Sequence, residues 1–476
     1  MKPFRNPIPL PVTTALVAVC VALARPAICQ VGIAQEARPN IIFILADDLG
    51  YGDLGCYGQQ RIKTPQIDRM AAEGMRFTQA YAGSTVCAPS RCVLMTGFHT
   101  GHARIRGNAR LPLLPKDVTV AEVLKGEGYR TALLGKWGLG EPDTTGVPNR
   151  QGFDEFFGYL NQHHAHNYYP TYLWRNEERY ELANVVPNED AQGGGKATIR
   201  RQYSHDLVAD EAMRFVRSNA GTPFFLYLAL TVPHANNEAR DEGMEVPDLG
   251  AYADLDWPAP QRAHAAMISR MDRDIGRLFD LLKELQLDER TLVFFTSDNG
   301  PHREGGNNPG FNDSNGPLRG IKRDLYEGGI RVPFIARWPG RIQPGTVCPQ
   351  LTDFADFLPT AAELSGAPVR SGIDGVSILP SLLGQTAGQQ QRPYHYWEFY
   401  EQGGRRALRQ GDWKAIIQPW DGNLELYDLA NDIGETNNLA TQRPEIASRM
   451  RRLIDEAHRP DPNWKEPGRW PVQTTP

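Results

Sequence analysis

Cysteine is scarce in this chain, and its spacing excludes the commonest uses of a thiol. Six cysteines occur in 476 residues, and none forms a CxxC pair, so neither a zinc ribbon nor a dithiol redox motif is present. A basic stripe is also missing. The net charge is −5, so a nucleic-acid surface is not expected. No internal repeat or low-complexity tract points to a solenoid or a linker. Beyond the N-terminal stretch no segment is apolar enough to span a membrane.

That N-terminal stretch is different in kind. Lys2 and Arg5 precede an apolar run from about Leu10 to Leu23, and no acid occurs before Glu36. The pattern predicts a signal peptide over residues 1–24, with cleavage between 24 and 37, and an exported protein, periplasmic or secreted. Cys20 and Cys29 fall in this leader, which leaves Cys56, Cys87, Cys92 and Cys348 for the mature chain. An exported protein can pair such thiols, but spacing does not say which.

From Asn40 onward short apolar runs alternate with helical periodicity. NIIFILADD, RTALLGK, TPFFLYLALTVPH and TLVFFTSDNG read as buried strands. TPQIDRMAAEG reads as a helix with Thr64 as N-cap and Pro65 in its first turn. AHAAMISRMDRDIGRLFDLLKELQL carries Met267, Met271, Ile275, Leu278 and Leu282 on one face. The alternation predicts an α/β fold, a central mixed sheet flanked by helices, over 38–385. The texture changes past residue 385. There, short antiparallel strands and a helix over PEIASRMRRLIDEAH predict a smaller α+β subdomain over 386–476. Residues 141–200 and 236–262 break the alternation and are expected to be surface excursions that wall a pocket.

Polar clusters fall at the carboxyl ends of the strands: Asp47-Asp48, Lys136, His234 and Asp298-Asn299. Open α/β sheets place ligands at that edge. A single Asp after a strand usually caps a turn. Two adjacent pairs of oxygen donors favour a hard cation such as Ca²⁺. Lysines and a histidine at the same edge suit an anionic substrate, with the histidine as proton donor to a leaving group. Within STVCAPSRCVLMTG, Cys87 precedes a helix and Arg91. As a bare thiol it is a nucleophile activated by the helix end, half of a disulfide, for instance with Cys56, or a buried inert residue. Cys92 reads as core or as a disulfide partner.

Cys87-Ala88-Pro89-Ser90-Arg91 followed by Thr96-Gly97 resembles the signature of the type I, formylglycine-dependent sulfatases of the alkaline-phosphatase-like superfamily. ILADDLGYGDLGCYG, GYRTALLGKWGLG, FFTSDNGPH, GPLRGIKRDLYEGGIRVPFIARWPG and DGVSILPSLLG agree, in the same order, over about residues 39–456. The resemblance implies an alkaline-phosphatase-like fold and a sulfuric ester hydrolase. It implies that a formylglycine-generating or anaerobic maturing enzyme converts Cys87 to formylglycine, whose hydrate attacks sulfur and then expels sulfate. It implies one Ca²⁺ held by Asp47, Asp48, Asp298, Asn299 and the modified Cys87. By the same resemblance Arg91 stabilises the ionised diol, Lys136 and Lys322 grip the sulfate, and His234 protonates the leaving alcohol. One position departs. The family's KWHLG reads KWGLG here, so Gly138 lacks a histidine used in elimination, and His302, Asp298 or water is left to replace it.

For the substrate, QHHAHNYYPTYLW and HYWEFYEQGG concentrate residues that stack on sugar rings. His164, His166, Trp397, Glu398, Arg106 and His302 are therefore candidate substrate contacts, with Arg104 and Asn108 nearby. The resemblance points to a sulfated galactose or N-acetylgalactosamine, as a small molecule or in a glycan. Two other readings stay open: a phosphodiester or phosphonate hydrolase, and a secreted glycan-binding pseudoenzyme.

Overall fold

The computed structural model describes residues 38–467, together with Met1, Pro3 and Phe4. Most of the expected signal peptide, and Cys20 and Cys29 with it, lie outside the described residues. Among the described residues sixteen strands follow in chain order: β1 Asn40–Ala46, β2 Met75–Phe77, β3 Ala80–Tyr81, β4 Arg130–Lys136, β5 Glu155–Tyr159, β6 Tyr172–Arg175, β7 Glu178–Glu181, β8 Phe224–Ala229, β9 Thr291–Ser297, β10 Phe334–Arg337, β11 Thr346–Cys348, β12 Thr352–Asp353, β13 His395–Phe399, β14 Arg405–Gln410, β15 Trp413–Ile417 and β16 Leu424–Asp428. Ten of them form one sheet in the order β11-β2-β10-β9-β1-β8-β4-β5-β6-β7. Its centre, β9-β1-β8-β4-β5, is parallel, and β10, β6 and β7 join antiparallel, so the sheet is mixed as expected.

Strand period 2 divides the core into two layers. Ile42, Ile44 and Ala46 of β1 pack with α1 (Pro65–Glu73), α4 (Ser204–Ser218) and α5 (Ala259–Glu284). Ile41, Phe43 and Leu45 face the other way, onto α2 (Cys87–Thr96) and α3 (Val120–Gly126). The apolar stripe of α5 that the heptad-like spacing marks, Met267 through Leu282, is buried in the first layer. Among the described residues no helix is long and apolar enough to cross a membrane.

Three expectations need correction. Residues 141–200 are not only an excursion, because β5, β6 and β7 within them extend the main sheet. Cys56, Cys87, Cys92 and Cys348 are all free thiols, so the Cys56–Cys87 bridge does not form. Thr64 stands at the N-cap of α1 but makes no capping bond. Its hydroxyl is occupied by the Gly55 amide and Asp68. The capping acceptor comes instead from α5, where Asp272 takes the amides of Gln66 and Ile67 at 3.0 and 2.7 Å.

The four-stranded antiparallel sheet β13-β14-β15-β16 belongs to the same compact unit as the large sheet. One face is covered by the helix Pro444–Ala457 through Met450, Ile454 and Ala457. The other packs Trp397, Phe399, Ala407 and Ile416 against Tyr81, Val86, Leu325 and Ile330. The segments on either side of the main-sheet edge that hold Cys87 and Lys322 are thus braced by a second core.

Because the α1 cap is a long-range bond, Asp272→Ala is expected to destabilise the protein by about 1–2 kcal/mol, the cost of a lost N-cap. Asp272→Asn, which keeps an acceptor, is expected to lose less. The urea unfolding midpoints of the two variants check this order.

Candidate functional site

Four neighbouring strands end at one place. β1 delivers Asp47 and Asp48, β4 ends in Lys136, β9 delivers Asp298 and Asn299, and β8 runs on to His234. Parallel neighbours carry their carboxyl ends to the same edge, which is why residues so distant in sequence meet. Asp48 sits at φ +66, a left-handed conformation uncommon outside glycine, and the turn aims its carboxylate at the β9 end. There its amide donates to Asp298 Oδ1 at 3.2 Å and its Oδ1 accepts from Asn299 Nδ2 at 2.6 Å.

Cys87 is the first residue of α2, with Val86 as its cap. Its Sγ lies 3.4 Å from Asp47 Oδ1 and 3.2 Å from Lys136 Nζ, with 2% of the residue exposed. Lys136 also donates to Asp47 Oδ2 at 2.6 Å. One helical turn along, Arg91 donates to Asp298 Oδ2 through Nε and Nη2, at 3.1 and 2.8 Å, and to the Lys136 carbonyl at 2.6 Å. Lys322 bridges Asp48 Oδ2 at 2.8 Å and Glu304 Oε2 at 2.9 Å.

The electrostatics follow from burial and these partners. Burial alone would raise the Asp47 carboxyl, but the charges of Lys136, Arg91 and Lys322 outweigh it and hold it well below the carboxylate range. Burial and the Asp47 charge push Asp298 up to about 7. Burial, then Asp47, pushes the Cys87 thiol up, which disfavours the thiolate. His234 donates from Nδ1 to the Ala235 carbonyl at 2.7 Å, which leaves the Nε2 lone pair to accept from Lys322 at 3.0 Å. Burial and the Lys322 charge pull this ring down to about 3.

A hard cation fits these residues. Asp47, Asp48 and Asp298 converge, and Asn299 Oδ1 is buried with no hydrogen-bond partner. All-oxygen donors with an orphaned amide oxygen match Ca²⁺ chemistry. The carboxylates of Asp47, Asp48, Asp298 and Glu304 are matched by Arg91, Lys136, Lys322 and Arg323, so a divalent ion would leave the array positive, the sign an anionic substrate needs.

Above the array opens a cleft of about 220 Å³, where Cys87, His234 and Lys322 meet Asn108, Gln162, His163, His166, Asn237 and Arg323. His166 lies parallel to His234, with ring centroids 5.0 Å apart. Other candidate contacts are placed elsewhere. Arg106 and Glu398 form a buried ion pair at 2.8 Å, and Glu398 also takes the hydroxyls of Tyr396 and Tyr400. Trp397 is buried and donates to the Ala82 carbonyl. These three tie the small sheet to the segments beside α2 and do not face the cleft. His164 is fully buried between Tyr159 and Tyr172. Arg104 turns away to the Pro112 carbonyl.

His302 stacks behind His234, donating from Nε2 to the Pro233 carbonyl while Nδ1 accepts the Glu304 amide. With both nitrogens engaged, it is not a free base. Sequence reasoning missed Gln162, Asn237, Arg323 and Glu304. Glu304 lies just beyond the FFTSDNGPH motif and Arg323 directly follows Lys322 inside GPLRGIKRDLYEGG, but Gln162 and Asn237 sit on irregular segments with no periodic signal.

Gly138 adopts φ +85, and a side chain there would overlap the Gln162 carboxamide, which donates to the Gly138 carbonyl at 3.1 Å. The Gln162 side chain thus occupies the space above Gly138.

The family described as Sulfatase matches residues 39–367, and the N-sulphoglucosamine sulphohydrolase C-terminal family matches residues 321–459. The chain is 34% identical to N-acetylgalactosamine-6-sulfatase of Canis lupus familiaris, over 84% of this chain and 76% of that one. It is 31% identical to N-acetylgalactosamine-6-O-sulfatase of Bacteroides thetaiotaomicron, over 88% and 93% of the two chains. Among solved structures, the complex of Ps i-CgsB with k-i-k-neocarrahexaose superposes with a TM-score of 0.74 at 29% identity, covering 90% of this chain and 94% of that one.

Gly138→Ala is expected to lower stability by about 1–2 kcal/mol, the cost of a left-handed non-glycine residue. The double variant with Gln162→Ala is expected to recover only the steric part, which a double-mutant cycle of unfolding midpoints measures.

Proposed function

Because the chain belongs to the sulfatase family and is a sulfuric ester hydrolase, we propose that it releases inorganic sulfate from a sulfated carbohydrate, of the galactose or N-acetylgalactosamine sulfate type. The observation that carries this reading is the position of Cys87. It stands at a helix start, against Asp47 and Lys136, beneath a cleft rich in hydrogen-bonding side chains. The kinship with two N-acetylgalactosamine sulfatases supports the sugar class. The reading includes export of the protein and maturation of Cys87 by a formylglycine-generating or anaerobic maturing enzyme.

Asp47, Asp48, Asp298 and Asn299, with residue 87, would hold one Ca²⁺, which when bound polarises sulfate oxygens as a Lewis acid. Conversion of Cys87 to formylglycine would supply an oxygen nucleophile, as the aldehyde hydrate, at this position. The remaining work belongs to the chain's side chains. Lys136 and Lys322 present ammonium protons to the sulfate oxygens, and their carboxylate partners keep both cations fixed before substrate arrives. Arg91, clamped on Asp298 and the Lys136 carbonyl, holds positive charge beside the start of α2 and stabilises an oxyanion at position 87. His234 Nε2 faces Lys322, and the Ala235 carbonyl fixes its tautomer. Burial first and the Lys322 charge second disfavour a proton on this ring; an anionic sulfate offsets the second of these, which favours a proton on Nε2 that His234 can pass to the leaving alcohol. Gln162 stands beside Gly138 and His302 is engaged through both nitrogens, so neither supplies the missing base. Asp298 or water takes the role.

The test is sulfate release from sulfated galactose and N-acetylgalactosamine, run beside an aryl sulfate and an aryl phosphodiester, with protein co-expressed with a maturing enzyme. Sugar sulfates are expected to be hydrolysed, and the peptide spanning residues 77–91 is expected to carry formylglycine. Turnover of the aryl sulfate alone overturns the carbohydrate reading. An unmodified Cys87 in active protein overturns the mechanism. His234→Ala is expected to slow sugar sulfates by about 10²–10⁴-fold, the worth of a positioned general acid. The loss is expected to be smaller for 4-nitrophenyl sulfate, whose leaving group needs no proton.

A further inference from the structure

The rim of the cleft carries a second group of convergent side chains that takes no part in the proposed hydrolysis. His163 caps, and His166 ends, the short 3-10 turn His164–His166, and Glu238 comes from a separate 3-10 segment, Asn237–Glu242. The ligand-type atoms of these three residues all lie within 4.8 Å of one another. Glu238 Oε1 is 3.3 Å from His163 Nδ1 and 3.2 Å from His166 Nδ1. Ligands at about 2 Å from a tetrahedral ion stand about 3.3 Å apart, so these spacings match two edges of such a site.

A third loop adds what a metal-bound histidine usually has behind it. His163 Nε2 meets Asp190 Oδ2 at 2.5 Å, and Asp190 is itself held by the amides of Gln192 and Gly194. A carboxylate on the far nitrogen sets the tautomer that leaves Nδ1 free to bind. The cluster His99, His102 and Asp374 lacks this arrangement. There His99 Nδ1 accepts the Gly101 amide, so the neutral ring carries its proton on Nε2, the nitrogen that faces Asp374.

We propose that His163, His166 and Glu238 bind a transition cation such as Zn²⁺, with Asp190 orienting His163. Two imidazoles select Zn²⁺ or Co²⁺ over Ca²⁺, so this site and the oxygen-donor array take different ions. Three protein ligands leave a tetrahedral ion one open position. All three residues are partly exposed, and both histidines line the cleft, so that position is available to water or to a carbohydrate hydroxyl or carboxylate. The metal also anchors the His166 ring that lies parallel to His234.

The experiment uses the full chain saturated with Ca²⁺. Zn²⁺ is titrated calorimetrically, and Co²⁺ is titrated with visible absorption as the readout. One equivalent of Zn²⁺ and tetrahedral-type Co²⁺ bands are expected. His163→Ala and Glu238→Gln are expected to weaken binding by about 100-fold or more, and Asp190→Asn by about 10–100-fold, the worth of a partner behind a ligand. Circular dichroism and Ca²⁺ stoichiometry are expected to match the parent, and Asp190→Asn provides an independent reading if a ligand variant misfolds. Absence of Zn²⁺ binding by the parent, or equal binding by the folded variants, overturns the proposal.

Discussion

A lysine ammonium 1% exposed survives here because two acceptors meet it: Asp47 Oδ2 at 2.6 Å and Cys87 Sγ at 3.2 Å. An unpaired charge in this place would be prohibitively costly. The pairing therefore couples three pieces of structure, the ends of β1 and β4 and the start of α2. Arg91 extends the coupling to β9 through Asp298, and Lys322 extends it to the far wall through Asp48 and Glu304. Each cation is held by a carboxylate, so the array is ordered before any substrate binds. Preorganised charge of this kind needs little rearrangement when negative charge develops.

The small sheet serves the same array from outside. Trp397, Phe399 and Ile416 fill the space behind Tyr81 and Val86, just before Cys87, and behind Leu325, just after Lys322. A buried ion cluster fastens the contact. Lys414 of β15 reaches Glu327 at 2.8 Å and Glu435 at 2.9 Å, and Glu327 also holds Arg331 and Tyr81. Arg106 and Glu398 make a similar tie on the other side. The aromatic and charged residues of HYWEFYEQGG thus act through packing, by fixing where the active segments lie.

How far the site was legible in the sequence depends on the kind of signal each residue carries. Asp47, Asp48, Lys136, Asp298 and Asn299 end apolar runs, and the α/β rule sends strand ends to one edge, so their convergence follows from pattern. Cys87 and Arg91 share a helical turn and were equally visible. His164, Trp397, Glu398 and Arg106 looked like sugar contacts because their residue types suit that task. Composition does not report which way a side chain points, and these four point into cores. Gln162, Asn237 and Arg323 had the opposite fate. They lie on irregular segments, where no periodicity assigns a face, and only the folded loops bring them to the cleft.

The sequence by itself determined the layered α/β architecture, the strand-end cluster and the family, because hydrophobic period and motif order are local properties of the chain. Tertiary structure alone decided three other matters. The α1 cap comes from Asp272 on α5, since Thr64 spends its hydroxyl elsewhere. Gln162 takes the space over Gly138, since glycine leaves that space open and the carboxamide reaches the Gly138 carbonyl. His166 lies against His234, while its neighbour His164 is buried two residues away, since a tight 3-10 turn sends nearby side chains in different directions. In each case the deciding contact joins segments far apart in sequence or turns on a local backbone angle, and neither is written in composition or spacing.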